Sequence, residues 1–133
     1  MTSTLEQIIA RGNRRNVPSK TWPECWEIDD NNRITCADGF SLSVIAGPGA
    51  YCIPRPKMMP GLPAFELSGE IDDAYYSGPY THVEVGFPSA KPKPWKKAWR
   101  HYSECPDEPT GTVYSWVPVE LVRDLIKRHG GEA

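Results

Sequence analysis

No stretch of this 133-residue sequence approaches the roughly 18 consecutive apolar residues that a membrane-spanning helix requires. The first fifteen residues mix Glu6, Gln7, Arg11, Arg14 and Arg15 with short apolar groups, so the apolar core of a secretion signal is missing as well. These absences point to a soluble protein, cytoplasmic to the cell that makes it, with no membrane partner. A strong charge of one sign is lacking too. The formal net charge of -2 offers no global attraction to nucleic acid or to an acidic bilayer, so any such attraction must come from local clusters.

Metal-site spacing is also missing. None of the four cysteines, Cys25, Cys36, Cys52 and Cys105, forms a CxxC pair, and no HxxxH partner lies nearby. Without a secretion signal the expectation is reduced thiols, no bound metal and no cofactor. Gly47-Pro48-Gly49 is not followed by Lys-Ser/Thr or by a helix, which leaves a turn and not a phosphate loop. No motif supplies a nucleophile, a base and oxyanion donors together, and no catalytic residues are assigned. His82 and Glu84 share one face of an expected strand and can serve as base and acid, with Cys52 as a thiol; a surface ion pair is the ordinary alternative. An enzyme therefore ranks last among the readings.

What is present is a composition of ordinary globular type, 39% hydrophobic and 24% charged, of a length that suits one domain. Fourteen prolines and eleven glycines predict many loops, while five Trp, six Tyr and three Phe can anchor a core. Ser3 and Glu6 have the spacing of a capping box before Leu5, Ile8 and Ile9, which predicts a helix ending by Gly12 or Asn13, a basic tail at Arg14 and Arg15, and a connector from Val17-Pro18. Trp26–Asp29 and Arg33–Cys36 flank Asp30-Asn31-Asn32 as a hairpin, whose register decides whether Cys25 faces Cys36. Phe40, Leu42 and Val44 alternate with serines as a half-buried strand, and Ala50–Ile53 returns as a short one. Thr81–Phe87 is a second clear strand, with Val83, Val85 and Phe87 facing one way and His82 and Glu84 the other. Thr112–Val117 is a third, with Tyr114 and Trp116 on one face.

Trp95, Trp99 and Tyr102 recur at helical spacing after Pro94. At the end of the chain Leu121, Val122, Leu125 and Ile126 form an apolar stripe, with Pro118 in the first turn, Lys127, Arg128 and His129 in the last, and Gly130 as the cap. The expected fold is α+β. A mainly antiparallel sheet of about three to five strands carries an N-terminal helix, a short Trp-rich helix and a C-terminal helix.

Three groups of strings suggest a relationship. Ala37-Asp38-Gly39-Phe40, Ser43-Val44 and Tyr51-Cys52 with Pro54-Arg55 form one block. Gly78-Pro79-Tyr80 and Val83-Glu84-Val85-Gly86-Phe87-Pro88-Ser89 form a second; Thr112-Val113-Tyr114, Val117-Pro118 and His129-Gly130-Gly131 form a third. In combination they resemble a family of small uncharacterised proteins of bacteriophages and prophages. The resemblance spans residues 37–55 and 78–131 and carries no activity. It implies an accessory role: takeover of a host protein, evasion of host defence including anti-CRISPR inhibition, or handling of phage nucleic acid. In such proteins the first two blocks lie close together, so residues 56–77 stand as an insertion in a single domain.

Two contact surfaces follow. The insertion offers the acids Glu66, Glu70, Asp72 and Asp73 beside Phe65, Tyr75 and Tyr76, a set suited to a basic host surface; the alternative is a solvated loop whose aromatics tuck onto the core. Lys91, Lys93, Lys96, Lys97 and Arg100 place five positive charges and no acid near Trp95, Trp99 and His101. They can track a phosphate backbone while Trp stacks on a base, or they can be the solvated face of a helix whose Trp residues are core, leaving the charges to an acidic protein. Binding to a host protein is the leading expectation and binding to single-stranded nucleic acid the second.

Overall fold

The structure is a computed structural model that describes residues 3–18, 26–28, 32–47, 49–56, 70–71 and 78–133. Helix α1 spans Thr4–Arg11. The Ser3 hydroxyl accepts the Glu6 N–H at 3.3 Å, satisfying one of the donors that a helix start leaves open. Leu5, Ile8 and Ile9 form its buried stripe. The helix stops at Gly12, where φ is 71° and a Cβ would sit 2.9 Å from the carbonyl oxygen of Ala46.

Strands β1 (Arg14–Pro18) and β2 (Trp26–Ile28) pair antiparallel with each other. The basic tail and connector expected at Arg14–Pro18 are therefore a strand. The expected hairpin of 26–36 does not form either, because β3 (Arg33–Thr35) pairs with β4 (Ser41–Ile45) in a separate sheet. The reason lies in the loop. Cys36 N–H donates to the Phe40 carbonyl at 2.7 Å and Gly39 N–H to the Cys36 carbonyl at 3.0 Å, closing a tight three-residue connection in which Gly39 adopts φ 93°. Asp-Gly meets that geometry, whereas Asp30-Asn31-Asn32 has no glycine. Cys25 lies outside the described residues.

Short strands β5 (Arg55–Pro56) and β6 (Glu70–Ile71) pair in parallel at the base of the 56–77 segment. Strands β7 (His82–Gly86) and β8 (Val113–Pro118) complete an antiparallel sheet of order β3-β4-β7-β8. Its inner face carries the cross-strand pairs Ile34–Leu42, Val44–Val85, Val83–Val117 and Val85–Tyr114. All of these side chains are buried. Ala50–Ile53 is not a strand; only Ile53 makes a bridge, to His82.

The β7–β8 register shifts between Val83 and Val85, where Ser115 and Trp116 together oppose Glu84. This bulge corrects the expected alternation. Trp116 takes φ 51°, Tyr114 and Val117 both turn inward, and Trp116 stays half-buried against Tyr51, with ring centroids 5.1 Å apart. Glu84, expected on a solvated face, is buried, and its Oε1 accepts the Tyr51 N–H at 3.1 Å.

Helix α2 spans Val119–Arg128 and buries Val122, Leu125 and Ile126, with Leu121 only partly covered. Pro118 cannot cap it by side chain, and the Val119 N–H finds the Thr81 carbonyl at 3.1 Å instead. At the far end Gly130 N–H donates to Lys127 and Gly131 N–H to Ile126, at 3.1 and 2.9 Å. With Gly130 at φ 90°, this is the Schellman arrangement that a glycine past the helix end favours. Both helices and the inner sheet face share one core. The α+β architecture with its two terminal helices matches the expectation.

Candidate functional site

The stretch 87–104 leaves the end of β7 and returns beside β8. It is fastened at both ends. Phe87 N–H donates to the Thr112 carbonyl at 2.9 Å, and Ser89 and Ser41 exchange bonds of 2.8 and 2.9 Å. Glu104 N–H closes on the Val113 carbonyl at 3.0 Å. Pro88 and Pro92 are buried while Ser89, Lys91 and Lys93 are exposed, so the proline rings seat the segment and the lysines point outward. A turn at 95–98 then leads into a short 3-10 helix, Trp99–Tyr102, in place of the α-helical turn suggested by the spacing.

The aromatic residues hold this segment to the sheet. Trp99 is fully buried and meets Tyr114 edge-on at 5.5 Å; Trp95 is half-buried and meets the same ring at 6.3 Å. Tyr114 donates its hydroxyl to the Pro109 carbonyl at 2.6 Å, and burial pushes its pKa up to about 12. Trp99 is thus core and cannot stack on a base. Trp95 has the Lys91 ammonium 4.9 Å from its ring centroid, a cation–π contact.

The charges behave differently. Lys91, Lys93, Lys96, Lys97, Arg100 and His101 are all exposed. Among the described residues none of them has an ion pair. No Asp or Glu occurs between Glu84 and Glu104, and Glu84 is buried. The result is a short basic ridge, hydrogen-bonded to the sheet at both ends, with exposed acids resuming at Glu104, Asp107 and Glu108.

The other expected residues separate. Of the insertion set, Phe65, Glu66, Asp72, Asp73, Tyr75 and Tyr76 lie outside the described residues, and Glu70 enters only through the backbone of β6. Among the described residues His82 and Glu84 are not hydrogen-bonded to each other. His82 Nδ1 lies 2.8 Å from Thr81 Oγ1, Glu84 is held by Tyr51, and the buried Cys52 sulfur lies against the backbone of Gly47 and Pro54. Among the described residues no group of three or more His, Cys, Asp and Glu side chains could hold a metal ion.

Two residues beside the ridge escaped sequence reasoning. Phe87, expected inside with Val83 and Val85, is 53% exposed because its φ is 47° and the strand alternation ends there. Arg33 of β3 reaches across β4 and donates to the Phe87 carbonyl and to Ser41 Oγ, both at 2.8 Å. Nothing in the local sequence signals a left-handed Phe. A shallow groove of about 480 Å³ between the helices is less promising, since Arg123 is engaged by Glu6 and Glu120, and Glu132 by Ser3 and Thr4. No helix among the described residues is long and apolar enough to cross a membrane. No protein-family model, curated protein or solved structure matches this chain.

Proposed function

We propose that this is a phage or prophage accessory protein that acts by binding, engaging an acidic surface of a host protein through the ridge of Lys91, Lys93, Lys96, Lys97 and Arg100. The phage origin rests on the sequence blocks described above. The observation that carries the binding mode is the set of five exposed cations, without ion pairs among the described residues, on a segment anchored by a buried Trp. Fixed, uncompensated charges of one sign speed encounter with a complementary surface and select against like-charged ones.

Single-stranded nucleic acid is the weaker partner for the same ridge. Stacking on aromatic faces supplies much of the affinity in such binders, and here Trp99 is buried while Trp95 is half-buried with the Lys91 ammonium over its ring. The basic track is also short, and Glu104, Asp107 and Glu108 would repel a longer polyanion running off its end.

The test is a salt titration of two labelled probes, poly-glutamate and oligothymidylate. Poly-glutamate should bind in a salt-sensitive manner and lose binding to Lys96→Glu with Lys97→Glu. Oligothymidylate should bind no tighter than about 10⁻⁴–10⁻⁶ M at physiological salt. Submicromolar oligothymidylate binding, with a salt slope reduced by roughly two phosphate equivalents in Lys96→Ala with Lys97→Ala, would replace this reading with the nucleic-acid one.

A further inference from the structure

Phe87 stands at the head of the basic ridge in a conformation that bulky side chains rarely adopt. At φ 47° it lies in the left-handed region, which residues other than glycine seldom occupy. The backbone is held there from both sides: the N–H by the Thr112 carbonyl at 2.9 Å and the carbonyl by the Arg33 guanidinium at 2.8 Å. The following Pro88 is buried, and Ser89 is locked to Ser41. All this restraint serves a ring that is left 53% exposed, the most exposed of the large hydrophobic side chains described. A strained, over-determined backbone that displays an aromatic side chain to solvent points to use at a contact.

Its neighbours define the contact. Arg33 is exposed and has no ion pair among the described residues, and its hydrogen bonds to Ser41, Ser43 and Phe87 hold the guanidinium in place. Ser41 and Ser43 offer only small polar side chains beside it on the outer sheet face. The ridge begins at Lys91, in the same acid-free interval. An exposed apolar side chain in an acid-free interval, with the Arg33 guanidinium bonded to its own carbonyl, fits an occupant with the opposite layout, an apolar side chain flanked by carboxylates.

We propose that Phe87, pinned by Arg33, is the anchor of the partner-binding surface, and that the occupant is an acidic polypeptide segment with an apolar residue at its centre. The proposal rests on the ridge reading and adds to it the chemistry of the partner. Long-range charge brings the segment in, while burial of the Phe87 ring supplies selectivity that a bare run of acids lacks. Nucleic acid fits less well, because one isolated ring gives a single stacking position.

The experiment compares three probes at one ionic strength: a peptide of alternating Asp and Glu, the same peptide with one central Leu, and oligothymidylate of matched charge. The Leu peptide should bind about tenfold more tightly than its all-acidic parent. Phe87→Gly relieves the left-handed strain, so its thermal midpoint should be unchanged or higher while the preference for Leu disappears. Phe87→Asn, which also tolerates this region, should lose the preference in the same way. Both variants should keep the weaker, salt-sensitive binding of the all-acidic peptide, which Lys96→Glu with Lys97→Glu should abolish. Equal binding of the two peptides, a preference that survives both Phe87 variants, or a large fall in thermal midpoint in both, overturns the anchor and leaves the ridge reading standing. Indifference of peptide binding to the Lys96 and Lys97 reversals, or failure of both peptides to bind, overturns the ridge reading and the anchor with it. Tighter binding of oligothymidylate than of either peptide overturns both in favour of nucleic acid.

Discussion

His129 Nδ1 lies 2.7 Å from Asp38 Oδ2, and the His129 ring stacks on Phe40 with centroids 3.9 Å apart and planes within 7°. Asp38 also accepts the Phe40 N–H at 2.9 Å; that bond and the His129 contact hold its carboxyl below the usual aspartate range. Two sequence blocks separated by some ninety residues thereby meet in one lock. The Asp38-Gly39 turn closes β3 onto β4, and the His129-Gly130-Gly131 end of α2 sits on it, with Ala37 N–H donating to the Gly131 carbonyl at 2.8 Å. These strings join a turn to a helix end.

The segment after this lock reaches the other end of the chain. Glu132 accepts the N–H groups of Thr4 and Leu5 at 2.9 and 3.1 Å and the hydroxyl of Ser3, filling the start of α1 from afar. Burial raises its pKa, but the hydrogen bonds from Ser3, Leu5 and Thr4 together outweigh burial and hold it below the usual 4.5. A carboxylate with a lowered folded pKa stabilises fully above its unfolded value and loses that contribution as pH falls through the folded one. Glu132→Ala should therefore cost about 0.5–2 kcal/mol near neutral pH, the range for loss of a helix cap. The difference from wild type should shrink on acidification below 4.5. Urea melts at neutral and strongly acidic pH measure it, and a difference independent of pH would remove Glu132 as the cap.

Leu125 is fully buried between α2 and the sheet, among Val122, Ile126 and the inner strands. Leu125→Ala leaves a cavity that a packed interior cannot collapse, so the loss should be about 2–5 kcal/mol in a denaturant melt. A change below about 1 kcal/mol would place α2 outside the cooperative core.

Cysteine reactivity should follow exposure. Cys105 is exposed, whereas Cys36 is 1% exposed and its thiol pKa is pushed up by burial and by the charges of Asp38 and Glu132. Since the thiolate is the reactive form, a brief maleimide pulse on native protein should label Cys105 and spare Cys36 until denaturant is added. Peptide mapping reads the result, and native-state labelling of Cys36 at the Cys105 rate would contradict the packing of β3.

Local sequence determined the elements whose physics is local. The Ser3 cap and the Leu5, Ile8, Ile9 stripe define α1; alternation at Leu42 and Val44 and at Val83 and Val85 defines two strands; Val122, Leu125, Ile126 and Gly130 define α2 and its end. The five exposed cations of the ridge were legible as well, because charges with no apolar alternative stay in water. Pairing partners depended on the whole molecule. The Asp38-Gly39 turn prevailed over 30–32 for β3, and the bulge at Trp116 reversed the faces of β8 beyond it, since one added residue shifts every later side chain. Only tertiary structure could turn Phe87 outward, because its left-handed backbone is held by Thr112 and Arg33, residues distant in sequence that pay no heed to the local pattern. For the same reason it took the fold to show that Trp99 is core and that Phe87 is exposed.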